Sequence, residues 1–171
     1  HQRLCDNVKY RLRFADRAHR LLFNNGILTP EVASKMYLSR LNTIGRAVVA
    51  ESARWGDNRN PDKPPFTRED WIVERDRLIE DFFPLRSQVL IEQLREHQLY
   101  PNINAPVFSH AGGEIDVGLT LEIKRTDNRG LIFYTVNGED PRTLSGGISE
   151  NAESNSFFVI NESVEIKSRI Y

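Results

Sequence analysis

Val117-Gly118-Leu119-Thr120-Leu121-Glu122-Ile123-Lys124 alternates between apolar residues and small or polar ones. A period of two puts Val117, Leu119, Leu121 and Ile123 on one side of an extended chain, so the stretch reads as a strand with one face on a core. Upstream of about residue 100 the apolar residues recur every three to four positions instead, the period of a helix. The change falls at Tyr100-Pro101. It divides the chain into a helical segment, residues 1–100, and a β segment, residues 101–171.

Further strands follow in the β segment. Asp127-Asn128-Arg129-Gly130 turns the chain into Leu131-Ile132-Phe133-Tyr134-Thr135-Val136, and Asn137-Gly138 and Asp140-Pro141 carry turn signals after it. Ser145 to Ser156 is a Ser/Gly/Asn loop, and Phe157 to Ile160 and Val164 to Ile170 supply two more strands. Short strands separated by turns predict a small antiparallel β-sandwich.

In the helical segment, Leu4, Val8, Leu12, Ala15, His19 and Leu22 draw one stripe, with Asn24-Asn25-Gly26 as the stop. Thr29-Pro30-Glu31 starts a second helix, with Thr at the cap and Pro at the first helical position. Val32, Met36, Leu41, Ile44, Val48 and Trp55 carry its period to Gly56, about 26 residues or about 39 Å. Gly45 is its weak point, and close helix–helix approach is the expected reason for a glycine there. Asp57 to Pro65, with Asn60-Pro61 and Pro64-Pro65, reads as a linker. Thr67 and Asp70 form a variant capping box that starts a third helix, with Phe66 and Trp71 at the staple positions. Trp71, Leu78, Ile79 and Phe82 are its expected buried face. Pro84 is expected to kink or break it before Leu85, Val89, Leu90 and Leu94 resume the stripe. Three or four antiparallel helices follow from this reading.

The charge totals conceal the division. Overall, 23 Lys+Arg against 24 Asp+Glu give a net charge of -1. Residues 1–100 carry 17 basic and 14 acidic side chains, whereas residues 101–171 carry 6 and 10. Neither segment is charged enough to imply nucleic acid or an anionic membrane as partner. The single Cys rules out an internal disulfide or a cysteine-based zinc cluster. No run approaches the ~20 apolar residues of a membrane-spanning helix.

Candidate chemistry is sparse. His1, His19, His97 and His110 have no metal-ligand spacing, and His19 falls on an apolar stripe as a core histidine would. Cys5 reads as an inert thiol. Glu74, Asp76, Glu80 and Asp81 alternate with Arg75 and Arg77, the pattern of a solvated, ion-paired helix face. Asp140, before Pro141, reads as a turn residue rather than a calcium ligand. Gly112-Gly113 and Gly146-Gly147 lack the setting of a phosphate loop and read as turns. Trp55 and Trp71 continue apolar helix faces, as core anchors do. The reading assigns no catalytic, cofactor-binding or metal-binding residue.

The β segment resembles the chitobiase/β-hexosaminidase C-terminal domain, an immunoglobulin-like module. The resemblance is carried by Ala105-Pro106-Val107-Phe108, Gly112-Gly113, Tyr134 to Arg142 and the strand Val164 to Ile170. The family usually has Asp-Gly where Asn137-Gly138 stands, and both pairs suit the same turn. The helical segment resembles the region after the kinase-like core in the spore-coat protein H (CotH) kinase family. Tyr10 to Arg17, Phe23 to Glu31, Glu51 to Asp57 and Phe82 to Arg86 carry that likeness. The two resemblances imply a piece of a larger, exported bacterial protein, secreted or at the cell surface, with the kinase-like core upstream of His1. They also imply one further strand after Tyr171, whose absence would leave a sheet edge able to self-associate. The partners implied are that upstream domain and, through the β module, another protein or a cell-surface glycan. No cofactor is expected for this chain. The short, Pro-bounded Tyr100 to Pro106 is expected to be a semi-rigid joint.

Overall fold

The computed structural model of the chain describes residues 2–57 and 62–171. His1 and residues 58–61, which include the Asn60-Pro61 pair of the expected linker, lie outside the described residues. The architecture is mixed α and β, helices first and strands after. It divides into two compact units, His1–Tyr100 and Pro101–Tyr171.

The helical unit runs α1 (Gln2–Cys5), α2 (Val8–Leu22), α3 (Pro30–Ile44), α4 (Ala47–Trp55), α5 (Arg68–Arg77), a π-helical turn (Leu78–Phe82) and α6 (Phe83–Glu96). Two of the breaks and one cap correct the sequence reading. The first helix is interrupted at Asn7, whose extended backbone and side chain, accepting from the Lys9 and Tyr10 N–H groups, make it the N-cap of α2. The second helix breaks at Gly45-Arg46. A Cβ at Gly45 would meet only carbonyls of its own preceding turn at ordinary distance, so no neighbouring element requires the glycine. Its low helix propensity accounts for the break without close approach. Thr29 occupies the N-cap position of α3, yet its hydroxyl donates to the Gly26 carbonyl at 2.8 Å and caps nothing. The Pro30 nitrogen, having no hydrogen, is one donor fewer for it to satisfy.

The interruption expected at Pro84 is a π-helical turn, Leu78–Phe82, which parts α5 from α6 just before the proline. The Phe83 N–H bonds back five residues to Leu78 O, and Pro84 then falls in the first turn of α6, where a missing N–H costs nothing. The wider turn absorbs what would otherwise be a clash between the proline ring and the preceding carbonyl. Thr67 and Asp70 do form the reciprocal capping box. α2 ends where expected, with Asn24 and Asn25 both at positive φ, 52° and 63°.

The helical core is small. Ala15, Ala18 and Leu22 of α2, Ile91 of α6 and Tyr100 form its buried cluster, with Phe14, Leu90 and Leu94 packed against it. Alanines at Ala15 and Ala18 leave room for close approach at this contact. A left-handed turn at Gln98 (φ 57°) brings Tyr100 in. Leu99 N–H reaches Leu94 O at 2.8 Å and Gln98 N–H reaches Arg95 O at 2.9 Å, closing α6 as glycine-ended helices usually close. α3 packs on α6, where the Tyr37 and Phe83 rings lie 5.4 Å apart.

The β unit holds two antiparallel sheets. One has the order β1 (Val107–Phe108), β2 (Leu119–Lys124), β4 (Phe157–Ile160); the other pairs β3 (Ile132–Thr135) with β5 (Lys167–Ile170). Leu119 stands opposite Ile160, Leu121 opposite Phe158, and Ile132 opposite Ile170. The alternation of β2 is realised: Leu121 and Ile123 are buried and Thr120 and Lys124 exposed. Val117 lies before the strand and is 80% exposed, so the pattern overstates β2 by one apolar position. Tyr134 of β3 stacks on Phe158 of β4 with centroids 5.0 Å apart, joining the two sheets. No described helix is long and apolar enough to cross a membrane.

Candidate functional site

The residues with reactive side chains are held in structural roles. His19 Nδ1 lies 2.7 Å from the Tyr100 hydroxyl, and its ring stacks on Phe23 at 4.4 Å. Burial lowers the His19 pKa from its usual value, against the opposing pull of Asp16. The ring is therefore neutral near pH 7, and one hydrogen bond joins it to the Tyr100 hydroxyl, its direction set by the imidazole tautomer. Burial likewise raises the Tyr100 phenol. Arg75 pairs with Asp76, and Arg77 with Glu74, each at 2.7 Å, on the face expected to be solvated. The Cys5 carbonyl accepts from Arg11, and the thiol is only partly exposed.

In the β unit Asp140 is a strut. Its carboxylate accepts both Nε and a terminal N–H of Arg169 at 2.6 Å, and the Arg142 backbone N–H at 2.9 Å. A bidentate pair of this kind ties the 137–142 turn to β5. Tyr134, buried, donates to Glu153 at 2.9 Å. Burial first, and then the hydrogen bond to Glu153 and its charge, push the Tyr134 phenol up to about 12. Gly112, Gly113 and Gly146 all have positive φ, as expected of turns. Among the described residues no three His, Cys, Asp or Glu side chains converge as a metal site would require.

What stands out is uncovered apolar surface on the helical unit. α4, α5 and the π-helical turn bury no residue, and α3 buries only Leu41. Trp55 is 48% exposed, Phe66 62%, Leu85 61% and Val73 70%. Trp55 is thus no core anchor, and Phe82 is not part of a buried face. Helical periodicity marks which side of a helix is apolar but cannot say whether this chain covers it. A groove of about 730 Å³ runs along this surface, lined by Val48, Ser52, Trp55, Phe66, Trp71 and Val73. The Thr67–Asp70 cap lies on its border and fixes where α5 begins.

A second groove, of about 770 Å³, lies in the β unit between residues 108–117 and 160–166. The sequence reading singled out none of its acidic residues, Glu114, Asp116 and Glu162. Their signal was an absence of bases: no Lys or Arg lies between Arg95 and Lys124, or between Arg142 and Lys167. The aromatics of the β unit form no platform. Tyr134 is buried, Phe108, Phe133, Phe158 and Tyr171 are half-buried, and Phe157 alone of the six is mostly exposed.

Comparison with protein-family models, with curated proteins and with solved structures finds no match to the chain. The two family resemblances therefore rest on the quoted motifs.

Proposed function

We propose that this chain is a non-catalytic accessory and interaction segment of a larger exported bacterial protein, acting outside the cytoplasm. Its helical unit, read as an antiparallel bundle, buttresses a neighbouring folded domain, the kinase-like core that the resemblance implies. Its β unit, read as a small immunoglobulin-like sandwich, serves as a spacer or protein-binding module. The observation carrying this reading is the uncovered apolar face of α3 to α6. Trp55, Phe66 and Val73 line one groove, with Leu85 exposed besides, and contiguous apolar surface of this sort marks an interface. The Tyr134–Phe158 stack between the sheets supports the sandwich reading.

The test is reconstitution. The preceding domain of the parent protein and this chain, expressed as separate polypeptides, should co-purify. Trp55→Asp and Val73→Asp, at exposed positions, should abolish the association while leaving the chain folded. Failure of the unmutated pair to associate would overturn the reading. A carbohydrate-binding role for the β unit has Phe157 alone as an exposed ring, and glycan-array binding lost in Phe157→Ala would favour it instead.

A further inference from the structure

The groove of the β unit has an apolar floor and an acidic rim. Phe108 of β1, Leu121 of β2 and Ile160 of β4 form the floor with Ile166, and Leu121 and Ile160 are buried. Glu114, Asp116 and Glu162 stand exposed around it, and no Lys or Arg lines it. Among the described residues none of these three carboxylates is paired with a base. The nearest lysines in sequence are engaged elsewhere, Lys124 with Glu122 at 2.9 Å and Lys167 with Glu165 at 3.5 Å. At the mouth, Gly112 and Gly113 hold φ of 112° and 111°, with open space where a side chain would stand. Bare backbone there can hydrogen-bond an extended ligand.

These features select the occupant. An anion or nucleic acid would be repelled by the rim. The carboxylates do not converge as a divalent cation requires. A sugar would find, beside the His110 imidazole, one ring, Phe108, and that in the floor. We propose that this groove binds an extended protein segment in which Lys or Arg side chains flank an apolar one. The apolar side chain fills the floor and supplies most of the affinity, while the rim carboxylates set specificity and orientation. A volume of about 770 Å³ suits such a short segment. This proposal rests on the reading of the β unit as a protein-binding module and names its ligand, while the helical face is tested separately, so either can fail without the other.

The test uses the full chain, ¹⁵N-labelled, and an acetylated hexapeptide of alternating leucine and arginine. Amide shifts confined to residues 108–117, Leu121 and residues 160–166 are expected. The triple variant Glu114→Gln, Asp116→Asn, Glu162→Gln should weaken binding roughly tenfold, and added salt should weaken it in the parent. Ile115→Ser, on the wall of the groove, should weaken binding with the charges intact. Unchanged Ile123 and Tyr134 amides would certify that each variant is folded. Shifts that are absent or lie elsewhere, equal binding by the triple variant, or equal binding of the same peptide with glutamate for arginine would overturn the proposal. So would the same shifts produced by calcium chloride, spermidine or cellohexaose alone.

Discussion

Gly130→Ala should strongly destabilise the β unit while sparing the helices. Gly130 holds a φ of 71°, and a Cβ there would collide with the Ile170 side chain and the Tyr171 carbonyl. Next to it, Leu131 and Tyr171 exchange two backbone hydrogen bonds, at 2.7 and 2.9 Å, extending the β3–β5 pairing. Alanine in the left-handed region costs roughly 1–2 kcal/mol, and the clash is with backbone, which can yield only by opening the Leu131–Tyr171 pair. Losing those two bonds adds about 1 kcal/mol each, for a total of about 3–4 kcal/mol. A unit this small has stability on the order of 4–10 kcal/mol, so the substitution consumes much of it. At roughly 4–8 °C per kcal/mol, its melting midpoint should fall by more than about 10 °C. Both tryptophans, Trp55 and Trp71, lie in the helical unit, so their fluorescence reports that unit alone. The β unit is followed by the NMR amides of Ile123 and Tyr134. Gly112→Ala, at positive φ but facing open space, is the control and should cost only the backbone strain. A Gly130→Ala chain whose β amides melt within about 2 °C of the parent would refute the close approach of this turn to β5.

Thr67→Ala removes the capping box of α5 and should lower the tryptophan-reported stability by about 1 kcal/mol in urea titrations. Leu41→Ala, in the helical unit and only 6% exposed, should cost about 2–5 kcal/mol, while Trp55→Ala should cost far less despite the larger residue. A larger loss at Trp55 would mean that this chain buries it after all. His19 has a pKa lowered below its ordinary 6.5, so the unfolded chain binds its proton more readily than the folded one. The stability it contributes is full above about pH 6.5 and is lost as the pH falls from there; urea midpoints at pH 8 and pH 5 should differ in that sense, and less so in His19→Phe. Tyr134, with its phenol pushed up to about 12, should remain un-ionised in the folded chain above pH 10, the usual value. It stabilises fully below that value and loses its contribution as the pH rises toward 12, which an absorbance titration of Tyr134→Phe against the parent would isolate.

The sequence alone determined where the chain changes character, and local chemistry is the reason. A period of two over Leu119 to Ile123, turn pairs such as Asn137-Gly138, and a reciprocal cap at Thr67 and Asp70 each act within a few residues, so their reading needs no knowledge of the rest of the chain. Helix interruptions at Asn7 and Gly45 were less legible. Each depends on small energies, a side-chain cap or a weak helix former, that an apolar stripe running through them masks. The interruption expected at Pro84 is present, but it takes the form of a π-helical turn just upstream, a form that the residue type alone does not specify.

Burial was decided only in three dimensions. Periodicity names the apolar side of α4 and α5, but Trp55 and Val73 stay exposed because no other described element covers them. The same holds for the β groove. Glu114 and Asp116 come from the loop before β2 and Glu162 from the loop after β4, and only the pairing of β2 with β4 brings those two distant loops to one end of the sheet. A carboxylate acquires meaning from the charges it lacks nearby, and proximity of that kind is a property of the fold, not of the string of residues.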